Sequence, residues 1–267
     1  MRGRYPAALS RNPEMAEPPG FADLSHHIQL HIKALGRETN NLAYGYAGAL
    51  MLSRPPSLGG PVSHGSGIII RYGPSYSFLT AAHIVEQGRD LASADPQARL
   101  HLAAPNGSAT FTIGDRLRHY DRSRDLAVLH ITAEEAVSTG LYPYDLLDWP
   151  PPEPKLGEQV YLAGFPGEGR SQIGPKAYEF LSFTLGTQVS SIAEDNFKCV
   201  FDRSEWISQN GAPLPPSALG GVSGGPVMAM RDLRLTLLGV VQEHSDSLDI
   251  MIVSTLKSIP LTAFAAA

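Results

Sequence analysis

The chain has 267 residues, with 21 Lys and Arg set against 26 Asp and Glu, and its formal net charge is −5. With the signs interspersed, that balance gives no basic field for nucleic acid and no polybasic patch for a membrane surface, so neither partner is expected. No stretch approaches the ~18–20 apolar residues needed to span a bilayer, and a 43% apolar content with 26 Gly and 22 Pro fits a globular, mostly β chain.

In chain order, the first twenty residues are rich in Pro, Arg and Ala without a usable period and read as a flexible or surface-draped extension. No long apolar core follows Arg2 and Arg4, so no secretory signal is expected. Phe21, Leu24, Ile28, Ile32 and Leu35 then recur at helical spacing, with Gly36 placed as a stop. Ile28, Leu30 and Ile32 also alternate as in a strand, but the short helix is the preferred reading. His27 and His31 have the i, i+4 spacing of a metal pair, yet no Glu completes an H-E-x-x-H pattern and no third ligand is signalled. They and His26 are read as a solvated face, and no metal is expected.

Strands are predicted at Ala47 to Ser53, Ser66 to Tyr72 and Ser77 to Thr80, followed by a short helical turn after His83. Further strands are expected near Ala98 to Ala103, Ala109 to Arg118 and Leu126 to Ile131. Asn106-Gly107 is a hairpin signal, preferred over the glycosylation reading of Asn106-Gly107-Ser108 because no secretory signal precedes it. The stretch from Tyr142 to Pro154, with Trp149-Pro150-Pro151-Pro152, lacks ladder donors and reads as a semi-rigid crossover. Beyond it, strands are expected near Gln159 to Ala163, Tyr178 to Val189, Phe197 to Phe201, Pro226 to Met230, Leu235 to Gln242 and Asp249 to Ser254. The single Cys199 lies in a strand pattern, reads as a small core residue and cannot form an internal disulfide, which points to a reducing, cytoplasmic compartment.

Chemistry concentrates in three places. Ser223 stands in Gly221-Val222-Ser223-Gly224-Gly225-Pro226, where glycines permit a tight turn and let backbone N–H groups converge on a developing oxyanion. A serine hydroxyl is a poor nucleophile at neutral pH, so it needs a histidine to take its proton and a carboxylate to hold that histidine. His83 follows the apolar run Phe78-Leu79 and the small residues Ala81-Ala82, and Asp125 opens the apolar run Leu126 to Leu129. Asp115 and Asp121 are nearby carboxylates, but they sit among Arg, His and Tyr and not at the mouth of an apolar strand. The same loop also satisfies the G-x-S-x-G elbow of α/β-hydrolases. That fold needs its acid and histidine after the serine, and only Asp232 precedes His244 in the short segment remaining.

The phrases at Gly65 to Ile70 (GSGIII), Leu79 to Val85 (LTAAHIV), Asp125 to Leu129 (DLAVL) and Gly221 to Pro226 (GVSGGP) resemble, in this order, the chymotrypsin-like serine peptidases. Leu156 to Gly167 further resembles the second-barrel opening of the bacterial HtrA/Deg-like branch. The resemblance covers roughly Gly45 to Pro260 and implies an all-β, trypsin-like fold: two six-stranded antiparallel β-barrels with the active site in the cleft between them. The expected organisation is an N-terminal extension (1–40), a first barrel (41–141), the Pro-rich crossover (142–155) and a second barrel (156–267). A PDZ module of the kind HtrA-like members carry is not expected in the sequence that follows.

The resemblance also implies a mechanism. Ser223 is the nucleophile of an endopeptidase acting on a protein or peptide substrate, His83 its general base and acid, and Asp125 the residue that orients His83. The backbone N–H groups of Gly221 and Ser223 form the oxyanion hole, and no metal or organic cofactor is needed. Digestive members carry an aspartate just before the nucleophile, whereas here that residue is Val222, so activity without proenzyme cleavage is expected, with control by loop ordering or an activating partner. Ser217 would form the floor of the specificity pocket, and Val241, Gln242 and His244 its wall, favouring a small or medium apolar side chain. The competing readings are a latent member of the fold that uses its cleft for binding, and an α/β-hydrolase esterase.

Overall fold

A computed structural model describes residues 25–53, 61–104, 107–112, 114–167, 170–174, 177–180, 182–201, 206–208, 219–245 and 248–265. Ser217 and Asn106 lie outside them. The chain divides into two units, Met1–Arg37 and Glu38–Ala267, and all the described strands belong to the second.

The described chain opens with helix α1 (His26–Tyr46), which includes Gly36, where the sequence pattern predicts a stop. A glycine inside a helix costs about 1 kcal/mol relative to alanine. Burial of Thr39, Asn40 and Ala43 on the following turns offsets that cost.

Seven antiparallel strands form the first sheet: β1 (Ala47–Ser53), β2 (Pro61–Tyr72), β3 (Ser75–Thr80), β4 (Arg99–Ala104), β5 (Gly107–Phe111), β6 (Leu117–Asp121) and β7 (Leu126–Ile131). Their spatial order is β5-β4-β1-β2-β3-β7-β6, and the two-residue β8 (Tyr144–Asp145) adds in parallel to β2. The one strand expected over 109–118 is therefore two, β5 and β6, with a turn at Gly114–Arg116 between them. Arg116 in that turn donates to both carboxylate oxygens of Glu135, at 2.7 and 2.9 Å. Two helices decorate this sheet, α2 (Ala82–Ala94) and α3 (Ala133–Thr139). A capping box starts α3: Thr132 Oγ1 accepts from the Glu135 amide and Glu135 accepts from the Thr132 amide.

The second sheet contains β9 (Gln159–Gly164), β12 (Phe183–Ile192), β13 (Asn196–Val200), β15 (Pro226–Arg231), β16 (Arg234–Ser245) and β17 (Ile250–Thr255). Pairing runs β13-β17-β16-β15-β9-β12 and returns from β12 to β13, which closes a six-stranded barrel and removes its edges. A short strand, β14 (Trp206–Ser208), pairs outside it with β12, and β10 (Arg170–Gly174) and β11 (Ala177–Phe180) form a separate hairpin.

Why Ile68-Ile69-Ile70 is continuously apolar becomes clear from the packing. Successive strand residues face opposite sides, and here both sides are buried. Ile69 packs into the first core with Phe78, Leu100 and Leu129. Ile68 and Ile70 face the other way, onto Met228, Leu237 and Val240 of the second sheet and Phe264 near the C-terminus. Each such side chain contributes roughly 1.5–3 kcal/mol of burial, so β2 cements the two sheets together. Among the described residues no helix is long and apolar enough to cross a membrane.

Candidate active site

His83 lies in the first turn of α2, directly after β3. That turn has no side-chain cap of its own at Ala81. Its exposed amides are taken by Asp125: the Asp125 carbonyl accepts from the Ala82 N–H at 3.1 Å and its Oδ1 from the His83 N–H at 2.8 Å. A carboxylate at a helix N-terminus is favoured by the orphan donors and by the helix dipole. The second carboxylate oxygen, Oδ2, stands 2.7 Å from His83 Nδ1. One side chain therefore fixes both the backbone and the ring of His83. The Asp125 side chain is only 14% exposed, whereas that of His83 is 40% exposed and so open to solvent.

Asp125 is held in an uncommon conformation, with φ of +54°. The turn that delivers it there is built by Asp121, whose Oδ1 accepts from the Ser123 amide (3.0 Å), the Ser123 hydroxyl (2.6 Å) and the Arg124 amide (3.1 Å). Arg124 Nη1 donates to Asp121 Oδ2 at 3.0 Å, and its Nε stands 3.0 Å from Asp195 Oδ1, in the second sheet's half of the molecule. Partial burial raises the Asp121 pKa, but the hydrogen bonds from Ser123 and Arg124 and the Arg124 charge outweigh it and hold the group at about 2. Asp121 is thus a support for the Asp125 turn.

Ser223 stands in the turn between Leu219 and β15. Hydrogen bonds from Val222 N–H to the Leu219 carbonyl (3.2 Å) and from Gly225 N–H to the Val222 carbonyl (2.9 Å) form it. Bonds between Gly224 N–H and the Val241 carbonyl (2.7 Å) and between Val241 N–H and the Gly225 carbonyl (2.9 Å) anchor it to β16. Gly221 (φ +99°) and Gly224 (φ +87°) are both in the region that favours glycine. At Gly224 a Cβ would also fall 2.2 Å from the Ser66 carbonyl and 2.8 Å from the Ala81 nitrogen. The loop is tied to the first sheet as well, because the Ser66 N–H donates to the Ser223 carbonyl at 2.8 Å. Ser223 is thereby pinned to β2, the neighbour of the strand that leads into His83.

The remaining pocket candidates have separate settings. Val241 is buried in the second core, and its backbone carries the Ser223 loop. Gln242 occupies the register shift in β16 between Val241 and Glu243, a β-bulge of the kind that re-aims side chains beside functional sites. Its Oε1 lies 3.3 Å from the Ser254 hydroxyl. The His244 side chain is 6% exposed and packs edge-on against Phe201, ring centroids 4.8 Å apart. Ser217 is outside the described residues. Cys199 is buried in the second core, and that burial pushes its thiol up to about 12, as befits an inert packing residue. Sequence reasoning missed Ser66 and His64, both on β2 and both in contact with the Ser223 loop.

The sequence matches the family described as Trypsin-like peptidase domain over residues 65–240, a span that holds His83, Asp125 and Ser223. A solved serine endoprotease from Yersinia pestis superposes with a TM-score of 0.48 and 18% sequence identity, covering 81% of this chain. The chain spans 62% of that protein's length. Among curated proteins none matches. The fold is mostly β, with a closed six-stranded antiparallel barrel beside a second sheet, and the chain belongs to the trypsin-like peptidase family.

Proposed function

We propose that the protein is a serine endopeptidase of HtrA-like character that hydrolyses peptide bonds through Ser223, His83 and Asp125. The observation that carries this reading is the double grip of Asp125 on His83, at 2.8 Å to its amide and 2.7 Å to Nδ1. With Nδ1–H donated to Asp125, Nε2 is the basic nitrogen. It takes the Ser223 proton as Oγ bonds to the substrate carbonyl carbon and the carbonyl electron pair moves onto oxygen. The backbone N–H groups of Gly221 and Ser223 stabilise that oxyanion. On collapse the C–N bond breaks, His83 delivers its proton to the leaving amine, and water repeats the sequence to release the acid and free Ser223.

Val222 supports activity without proenzyme cleavage, since it is buried in the second apolar core, where a charged new N-terminus would find no partner. Control then falls to loop ordering or to a protein partner. The lone, buried Cys199 fits a reducing compartment such as the cytoplasm.

Labelling of intact protein with a fluorophosphonate, read by mass spectrometry, tests the reading. Modification at Ser223 that Ser223→Ala and His83→Ala both abolish is the expected result. Absence of labelling in a folded sample would favour a latent protein that uses the cleft for binding.

A further inference from the structure

We propose that His64 and Ser66 are positioning residues that lock the Gly220–Gly221 peptide with its N–H facing the oxyanion site, so that the hole stands assembled in the free protein. The inference rests on the peptidase reading above and concerns side chains that reading does not use.

An oxyanion hole made of backbone amides cannot lose its donor by side-chain substitution. It is lost when the peptide rotates. The peptide in question is held at its carbonyl: the Gly167 N–H donates to the Gly220 oxygen at 2.5 Å. In a planar trans peptide the C=O and N–H point in opposite directions, so the Gly221 N–H is turned away from Gly167. The φ of +99° at Gly221 is the signature of that orientation, because flipping the peptide would bring φ to a negative value.

Two buried side chains of β2 hold the arrangement. The Ser66 hydroxyl donates to the Gly221 carbonyl at 2.8 Å and accepts from the Phe165 N–H at 2.9 Å, which fixes the next peptide as well. His64 Nε2 donates to the Phe165 carbonyl at 3.1 Å, and the ring packs against Phe180 with centroids 5.9 Å apart. Its imidazole fills the room that side chains would need on both sides. A Cβ at Gly221 would fall 2.3 Å from His64 Nε2, and one at Gly167 would fall 2.8 Å from Cε1 and 3.0 Å from the Gly220 carbonyl. Glycine at both positions, the serine bridge and the imidazole wedge form one interlocked unit between β2 and the second sheet's loops. Ser66 is fully buried and His64 nearly so, and the Ser66 hydroxyl and His64 Nε2 both bond to backbone groups, as buried polar atoms require.

The test compares Ser66→Ala, His64→Ala and His64→Gln in the full chain, by amide hydrogen exchange at Gly167 and by steady-state kinetics on a peptide substrate. Losing one oxyanion donor lowers kcat by ~10²–10³-fold. Ser66→Ala and His64→Ala are expected to lower kcat by about 10²-fold with KM within about twofold, and to speed Gly167 exchange as the Gly220 carbonyl swings away. His64→Gln, whose amide nitrogen reaches the place of Nε2, is expected to recover most of kcat. The proposal is overturned if both alanine variants keep kcat and Gly167 protection, or if His64→Gln behaves as His64→Ala. Should wild-type protein fail to label at Ser223, the peptidase reading falls and exchange at Gly167 alone decides the lock: faster in Ser66→Ala sustains it, unchanged removes it.

Discussion

The Ser254 hydroxyl donates to the Arg124 carbonyl at 2.5 Å, so a strand of the second barrel is tied to the residue immediately before Asp125. Together with the ion pair of Arg124 and Asp195, this makes the position of the candidate acid depend on both halves of the molecule.

Replacing Asp125 by Asn separates charge from conformation. Asn tolerates the left-handed backbone at this site, so the variant should fold with a Tm close to the parent. An amide cannot hold the imidazole in the needed tautomer, and kcat is expected to fall about 10⁴-fold. Asp125→Ala should show the same kinetic loss and an added destabilisation of about 1–2 kcal/mol from a side chain that does not support this φ. Peptidase assays alongside thermal melts distinguish the two effects.

Asp121 makes a signed pH prediction. Its folded pKa of about 2 lies below the ordinary aspartate value of 3.8, so the folded state binds the proton more weakly than the unfolded chain. The resulting stability is fully present above about pH 4 and is lost as pH falls toward 2, on the order of 1 kcal/mol after screening. Asp121→Asn should be less stable than the parent at neutral pH and should show a shallower acid limb between pH 4 and 2 in urea titrations. An unchanged acid limb would show that Asp121 does not hold the turn.

Glu135 serves two partners, capping α3 through the Thr132 amide and pairing with Arg116. Glu135→Gln keeps a capping acceptor and loses the charge, with an expected cost of about 1 kcal/mol. Glu135→Ala loses both and leaves Arg116 half-buried without its partner, for an expected cost of about 2–3 kcal/mol. Equal costs for the two variants in denaturant unfolding would mean that only the ion pair matters.

The two-residue turn between β15 and β16 has Asp232 at φ +48° and Leu233 at φ +61°, the type I′ geometry that hairpins favour and that Gly fits best. Leu233 is 95% exposed and packs on nothing that would repay its conformation. Leu233→Gly should therefore raise Tm, with a net gain below about 1 kcal/mol once the greater freedom of glycine in the unfolded chain is counted.

Much of the candidate site was legible in the sequence because its parts sit at the ends of strongly apolar strands. His83 follows β3 and Asp125 precedes β7, and the pairing of these two strands brings their ends together. Other features were hidden for definite reasons. Gly36 resembles a helix stop, but a stop needs a left-handed residue and burial of Thr39 and Ala43 carries the helix onward. Arg116, in the turn between β5 and β6, pairs with Glu135, a contact no local pattern displays. Helix α3 did leave a signal, the Thr132-x-x-Glu135 capping box, that periodicity in so short a segment cannot reinforce. His64 is invisible to motif reading because its role arises from glycines about 100 and 160 residues away that leave it space.

Strand β2 gives Ile69 to one core and Ile68 and Ile70 to the interface between sheets, while its Ser66 reaches the Ser223 loop. The candidate site thus draws on both sheets, with His83 and Asp125 on the first and Ser223 on the second. A barrel transplanted from a relative would bring its own loops but not the matching face of β2.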